Sequence, residues 1–361
     1  MKRARLGSRS FVLKICLWGT LALAGAGMAR AGEISVQLEP GPGAAYATEA
    51  GVPLSQIESA LRTELEALYR ASDARRYIQA FGDAQAFANR GLGADYASNP
   101  RKFIIGFAVN VSATTDEAYV DSRNGRQPPI DGVGANFSVM AGTNLDWAGL
   151  RPVTIYANYF RASGAYERFD GTTENFGVHG QVKLFEDVHD PKRSSVFGWG
   201  GIDVTTGLQY GRLSLTLADA VTSRIPLASG AGAPYIEANT SGSFNADMRV
   251  WSVPIEVTTN VRLFYLLSLY GGFGYDWQFG TNELSMDLNS TLLGVVPQVG
   301  DKVNVGTARL TARESVSPTT GKLRSLVGVQ VNLTVLRVFT HVNVMPDRGL
   351  IGVVAGARLA F

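Results

Sequence analysis

From Phe103 to the C-terminus apolar residues recur at every second position, a period that rules out a helical body for most of the chain. Phe103, Ile105, Phe107, Val109 and Val111 alternate with Ile104, Gly106, Ala108, Asn110 and Ser112. The rhythm returns in Phe137, Val139, Ala141, Thr143; in Phe176, Val178, Gly180, Val182, Leu184; and in Val327, Val329, Val331, Leu333. After residue 31 no apolar run approaches the roughly 20 residues of a transmembrane helix, so a membrane-spanning form of this chain has to be a closed sheet. A soluble sandwich also alternates, with its apolar face inward. Run lengths near the ~9 to 11 residues of a bilayer-crossing strand, together with an export signal, favour the barrel.

That signal is residues 1–31. Lys2, Arg3, Arg5, Arg9 and Lys14 precede or interrupt the apolar run Ile15–Met28, which ends in Ala29-Arg30-Ala31, an A-x-A cleavage site before Gly32. These residues hold six of the 33 Lys and Arg and no acid, so the remainder carries 27 basic against 31 acidic side chains, a net of −4. No basic face for nucleic acid is implied. Cys16, the only cysteine, also lies in the signal, which excludes thiol catalysis and thiolate metal sites from the mature chain. A mean hydropathy of +0.04 does not argue against a barrel, whose strands average lipid-facing and lumen-facing residues.

Residues 32–100 form a separate helical segment ahead of a barrel over 101–361. After Glu39-Pro40-Gly41-Pro42-Gly43, Ser55 is expected to cap a helix aligning Ile57, Leu61, Leu65 and Leu68. A second helix from Asp73 would align Tyr77, Phe81, Ala84 and Ala88. Two short amphipathic helices need a surface to cover, and the barrel supplies one. They would plug the lumen or lie beneath it.

Alternating runs number ten, over 103–113, 135–145, 153–161, 174–185, 199–217, 244–258, 266–288, 304–333 (interrupted), 337–345 and 351–361. The fold class is therefore all-β, an antiparallel up-and-down transmembrane barrel of about 10 strands, within 8 to 12. With residue 361 on the periplasmic side, the outer loops are 114–134, 162–173, 218–243, 289–303 and 346–350. Inner turns fall at 146–152, 186–198, 259–265 and 334–336. Phe273, Tyr275 and Trp277 make the outward face of one strand aromatic toward one end, as an interfacial girdle requires. Between Arg249 and Val257 the apolar set changes parity around Trp251 and Ser252, which predicts a β-bulge before Pro254.

Reading back from the end, Phe361, Leu359, Ala357, Ala355, Val353 and Ile351 share one face, with Arg358 opposite among small residues. An amphipathic last strand ending in Phe resembles bacterial outer-membrane barrels as a broad class, and is similar to the signal that their barrel-assembly machinery recognises. The order of helical segment, Arg101-Lys102-Phe103-Ile104-Ile105-Gly106-Phe107 and barrel looks like envelope proteins that place short helices before a roughly ten-stranded barrel. The resemblance implies a bacterial outer-membrane location, with lipid, lipopolysaccharide and the assembly machinery as partners. It implies no chemistry.

Outer-membrane phospholipases and deacylases place His with Ser or an acid at the rim or on the lipid face. Here His179 and His341 are phased into the lumen and His189 lies in an inner turn, none within a recognisable local motif; polar network roles fit them better. Glu186, Asp187, His189 and Asp190 read as a solvated acidic turn, and Asp116, Glu117, Asp121 and Asp131 as a hydrated loop without EF-hand spacing. Neither a metal nor another cofactor is expected.

The polar lumen is the informative set: His179, Lys183, Asp203, Gln209, Arg249, Glu256, Asp276, Arg324, His341 and Arg358. Glycines 106, 142, 207, 272, 274, 328 and 356 leave room there for a narrow pore or for the N-terminal helices. Three functions follow: a narrow solute channel gated by residues 54–90, a structural barrel that anchors an envelope complex or presents loops 114–134 and 218–243, and a lipid-modifying enzyme. The first is the leading expectation, and an enzyme is the least expected.

Overall fold

The computed structural model describes residues 33–49, 53–71, 74–97, 102–114, 132–185, 196–226, 235–264, 266–295 and 302–361. The cleavage site at Ala29 and Ala31, the acidic turn with His189 and the loop carrying Asp116 to Asp131 lie outside them. Strand β1 (Glu33–Pro40) is followed by helices α1 (Ala44–Glu49), α2 (Leu54–Ala71) and α3 (Ala74–Phe87). Then come β2 (Phe103–Thr114), β3 (Gly132–Leu145), β4 (Leu150–Tyr166), β5 (Phe169–Phe185), β6 (Phe197–Pro226) and β7 (Tyr235–Leu263). The chain ends with β8 (Leu267–Val295), β9 (Lys302–Val316), β10 (Gly321–Leu333), β11 (Leu336–Met345) and β12 (Leu350–Ala360).

Neighbouring strands pair antiparallel, and β12 pairs with β2, while β8 pairs with β7 on one side and with β10 on the other. The ring thus closes on ten strands, β2 to β8 and β10 to β12. The run 304–333 is β9 and β10, broken at Ser317-Pro318-Thr319-Thr320, and β9 leaves the ring.

Burial is inverted relative to a soluble protein. Val327 is 71% exposed and Phe273 68%, whereas Asn110, Ser138, Thr205 and Asn343 are fully buried. Apolar side chains outside and polar ones inside a closed hydrogen-bonded ring define a membrane-spanning β-barrel of the outer-membrane type. In β12, Ile351, Val353, Ala355 and Leu359 face out, as does Phe361 just beyond it, and Arg358 is buried; Ala357, on the same outward phase, is half-buried. Phe361 stacks on Phe103 at 4.5 Å, joining the two ends of the closure. Phe273, Tyr275 and Trp277 also point outward, and Trp277 meets Tyr275 edge-on at 5.4 Å.

Several expectations change where strands outrun the membrane. β6, β7 and β8 are 30, 29 and 29 residues long, far beyond bilayer thickness at roughly 3.3 Å per residue. Most of 218–243 and 289–303 is therefore sheet rather than loop, and 162–173 is a hairpin turning at Glu167 and Arg168. The expected bulge before Pro254 is absent: β7 runs in one register against β8 from Tyr235 to Leu263, and from Met248 to Asn260 the even positions are the buried ones without a change of phase. The parity change in the sequence is a change of surroundings. Trp251 clusters with Phe176 and Tyr210 at the membrane edge, and beyond it the outward face is wet. Arg249 accordingly points outward, 58% exposed, and pairs with Asp247 at 2.6 Å, so it is not a lumen residue. Burial pushes the Asp247 carboxyl up, but hydrogen bonds from Arg249 and Arg212 outweigh this and hold it below the usual carboxylate range.

Above the ring, β8 changes partner. Its first half pairs with β10 and its second half, from Asn282, with β9. Gly280 sits at the switch with φ 148°, and a Cβ there would lie 2.0 Å from the Arg249 carbonyl oxygen. β1 pairs along β9, so the outer ends of β6 to β8 with β9 and β1 form a crown sheet. This strand lies in a segment read from sequence as helical; Ile34, Val36 and Leu38 alternate on the face that α2 covers. Helix α2 begins directly after Pro53, with Ser55 already inside its first turn rather than capping it. Ile57 and Leu61 are buried against Val36, Ile236, Leu292, Val305 and Leu310. In α3, Ile78 rather than Tyr77 is buried, because the helix seats against the rim through Val316 and Leu284. Ile57→Ala is expected to remove about 2–5 kcal/mol of that packing. Limited proteolysis should then cleave within α2 more than tenfold faster while the folded barrel band persists; unchanged cleavage would show that α2 is held elsewhere.

Candidate functional site

The lumen is occupied by the chain itself. Helix α3 descends from the crown side and ends at Phe87, which packs with Ala84, Met345 and Leu350 at the outer mouth. Ala84 and Gly134 approach so closely that a Cβ on Gly134 would lie 2.5 Å from the Ala84 carbonyl oxygen. Asp83 anchors this end, pairing with Lys322 at 2.8 Å and accepting hydrogen bonds from Thr319 Oγ1 at 2.6 Å and Thr319 N at 3.1 Å. The chain then turns at Gly91, φ 77°, and continues without regular secondary structure to Ala97. Residues 83–97 are all buried, and β2 starts at the opposite mouth, so the segment crosses the barrel from end to end.

Its grip on the wall is polar and circumferential. Asn110 Nδ2 donates to the carbonyls of Phe87 and Arg90, at 3.1 and 2.9 Å. Asn136 Nδ2 donates to Asn89 Oδ1 at 2.6 Å, and Arg90 donates to Gln209. Further in, Gln181 Nε2 donates to the Asp95 carbonyl at 2.9 Å and Asn260 Nδ2 to that of Tyr96 at 3.1 Å. Leu92 is the main apolar knob, against Ala108, Phe339 and Val354.

Charges are matched across the same boundary. Arg90 Nε lies 2.9 Å from Asp276, which also pairs with Arg324 Nε at 3.1 Å; Arg324 continues to Glu256 and donates to Asn343 Oδ1 at 2.8 Å. These four charged side chains are at most 4% exposed. A carboxylate shared between a wall guanidinium and a lumen-segment guanidinium ties the two parts together, since neither cation can be left unpaired at low dielectric without a large desolvation cost. Nearer the inner mouth Asp95 pairs with Arg358 at 2.7 Å, and the Arg358 guanidinium lies 3.6 Å from the Phe339 ring centre. Lys183 and Asp203 pair at 3.3 Å on the wall.

Nine of the ten polar positions expected in the lumen line it: His179, Lys183, Asp203, Gln209, Glu256, Asp276, Arg324, His341 and Arg358 are buried or, for Lys183, half-buried. Arg249 is the exception described above. His341 Nδ1 meets Tyr270 Oη at 3.1 Å and its ring stands edge-on to Tyr96 at 5.5 Å; His179 Nε2 lies 3.3 Å from Gln209 Nε2. Among the described residues no group of three His, Cys, Asp or Glu is arranged to hold a metal. The wall glycines do not leave a pore. A Cβ on Gly106 would meet Arg358, on Gly142 Tyr156, on Gly207 His179, and on Gly328 Tyr270 and His341, so they make room for large neighbours. Sequence reasoning missed Asp83, Arg90, Asp95, Tyr96 and Lys322. The run Asn89-Arg90-Gly91-Leu92-Gly93-Ala94-Asp95-Tyr96 carries the one available signal, opposite charges among glycines and apolar residues just before β2.

A family model described as Lsa36-like matches residues 34–361. No curated protein matches the chain. Similar solved structures include a major outer membrane protein from Thermus thermophilus, with 12% identity over 59% of this chain and 99% of that one and a TM-score of 0.24. Ail, the attachment invasion locus protein of Yersinia pestis, shares 11% identity over 73% of this chain and 99% of its own, with a TM-score of 0.26. The translocator domain of autotransporter NalP from Neisseria meningitidis shares 12% over 82% and 98%, with a TM-score of 0.31. At such overlaps the membrane-barrel assignment rests on this chain's own closed ring and apolar exterior.

Proposed function

We propose that this chain, which belongs to the Lsa36-like family, is a closed barrel of the bacterial outer membrane that displays its crown of β1, α2 and the outer ends of β6 to β9 at the cell surface as an interaction surface. The observation that carries this reading is the segment 83–97, buried along its whole length and tied to both mouths of the ring. On this reading the terminal Phe361 belongs to the periplasmic end, as in outer-membrane barrels generally, and the crown at the other end stands outside, among lipopolysaccharide and external partners. The buried histidines serve as packing and hydrogen-bonding groups of the lumen, not as catalysts.

A gated channel is the second reading. It is favoured by the polar character of the contact between segment and wall, which water could replace if the segment withdrew. Two measurements separate the readings. With Cys16 in the leader, a Ser59→Cys variant carries one thiol on the exposed side of α2. A membrane-impermeant maleimide is expected to label it on intact cells; labelling only after lysis would sink the display of the crown. Purified wild type is expected to be silent in planar bilayers, and steady unitary currents would favour the channel instead.

A further inference from the structure

Interior cations of this barrel come with acids: Lys322 with Asp83, Arg90 and Arg324 with Asp276, Arg358 with Asp95, Lys183 with Asp203. Two arginines at the inner mouth break the pattern. Arg262, near the end of β7, shares the inward phase of Glu256, Thr258 and Asn260, and Arg337, at the start of β11, shares that of Phe339 and His341. They line one cavity of about 410 Å³ together with Phe264, Leu266, Asn332 and Thr334. Neither has a carboxylate partner among the described residues, and the Nε of each is buried with no hydrogen-bond acceptor there. Arg337 Nη1 donates to the Thr334 carbonyl, which holds its guanidinium at the cavity wall.

We propose that this cavity is an anion site in which Arg262 and Arg337 together hold a phosphate oxyanion. Two guanidiniums facing one space repel each other, and a shared tetrahedral oxyanion converts that repulsion into charge-assisted, bidentate hydrogen bonding. Phosphate is presented at this level by phospholipid headgroups of the adjoining leaflet and, in solution, by the free ion. Phe264 and Leu266, 69% and 51% exposed, form an apolar rim that suits an anion carrying hydrocarbon. The site is independent of whether the lumen segment ever opens.

The test uses the full mature protein in uncharged detergent, titrated calorimetrically with inorganic phosphate, and in parallel returned to phosphatidylcholine vesicles doped with phosphatidylglycerol, with co-purifying lipid read by native mass spectrometry. Wild type is expected to bind, and Arg262→Gln/Arg337→Gln to bind at least about tenfold more weakly, the scale of one or two charge-assisted hydrogen bonds. Phe264→Ser/Leu266→Ser separates the sources: loss of phosphatidylglycerol with phosphate binding intact identifies the lipid headgroup, while no change identifies the free ion. The single variant Arg262→Gln, on a half-buried side chain, repeats the comparison should the double variant not fold. Absence of both ligands from wild type, or equal binding by wild type and the arginine variants, would overturn the proposal.

Discussion

Replacing Asp276 with Asn is expected to destabilise the folded barrel by about 3–5 kcal/mol, the cost of leaving a buried cation without its partner. Asp276 stands at the upper end of that range because it faces two cations, Arg90 of the lumen segment at 2.9 Å and Arg324 of β10 at 3.1 Å. The amide keeps the shape and loses the charge, leaving Glu256 alone to balance both arginines. Urea midpoints followed by the shift between folded and unfolded electrophoretic bands would read the loss. Adding Arg90→Met to Asp276→Asn should recover part of it, since one cation is then removed with one acid and the remaining Arg324–Glu256 pair is again neutral. If the single variant stays within about 0.5 kcal/mol of wild type, as exposed-site substitutions do, water reaches the cluster and the segment does not close the lumen.

That cluster also shows which parts of this protein are legible in its residues. The ring could be read because lipid enforces it: Val327, Val353 and Phe107 have to face out and Arg324, Arg358 and Asn110 in, so period two counts strands directly. The crown could not, because a strand leaving the bilayer inverts its outer face without changing conformation. Arg249 therefore looks like a lumen residue and the stretch before Pro254 like a bulge, although the β7 backbone is continuous. Strand β1 was hidden for a related reason. Ile34, Val36 and Leu38 alternate over too few residues to stand apart from a Pro/Gly-rich neighbourhood, and their partner β9 lies some 270 positions away in sequence. The lumen segment is the hardest case: residues 88–97 have neither helical nor strand period, since their conformation is set by the cavity they fill. What was legible was its complement, a barrel interior carrying charges that needed partners.

Gly93→Leu should open what the wild-type chain closes. A Cβ at residue 93 would lie 2.2 Å from Asn158 Oδ1 and 2.6 Å from His179 Nε2, and on the wall Gly177 lies close against both side chains and Gly207 against His179. A leucine cannot be taken up by shifting a flexible tip, because Asn158 is bonded to Ser138 at 3.0 Å and His179 lies against Gln209. Either the ring spreads, breaking ladder hydrogen bonds in a membrane where nothing replaces them, or the segment leaves. The second costs less, since its freed polar groups meet water. Unitary currents are therefore expected from Gly93→Leu in planar bilayers where wild type gives none, together with faster proteolysis across residues 88–97. The current should favour anions: withdrawal removes Asp83 and Asp95 with only Arg90, leaving Lys322 and Arg358 without their acids beside the wall groups Lys183, Arg324, Asp203, Glu256 and Asp276. A silent, protease-resistant Gly93→Leu barrel would mean that the wall gives way before the segment does, and the segment would then be a fixed part of the core rather than a stopper.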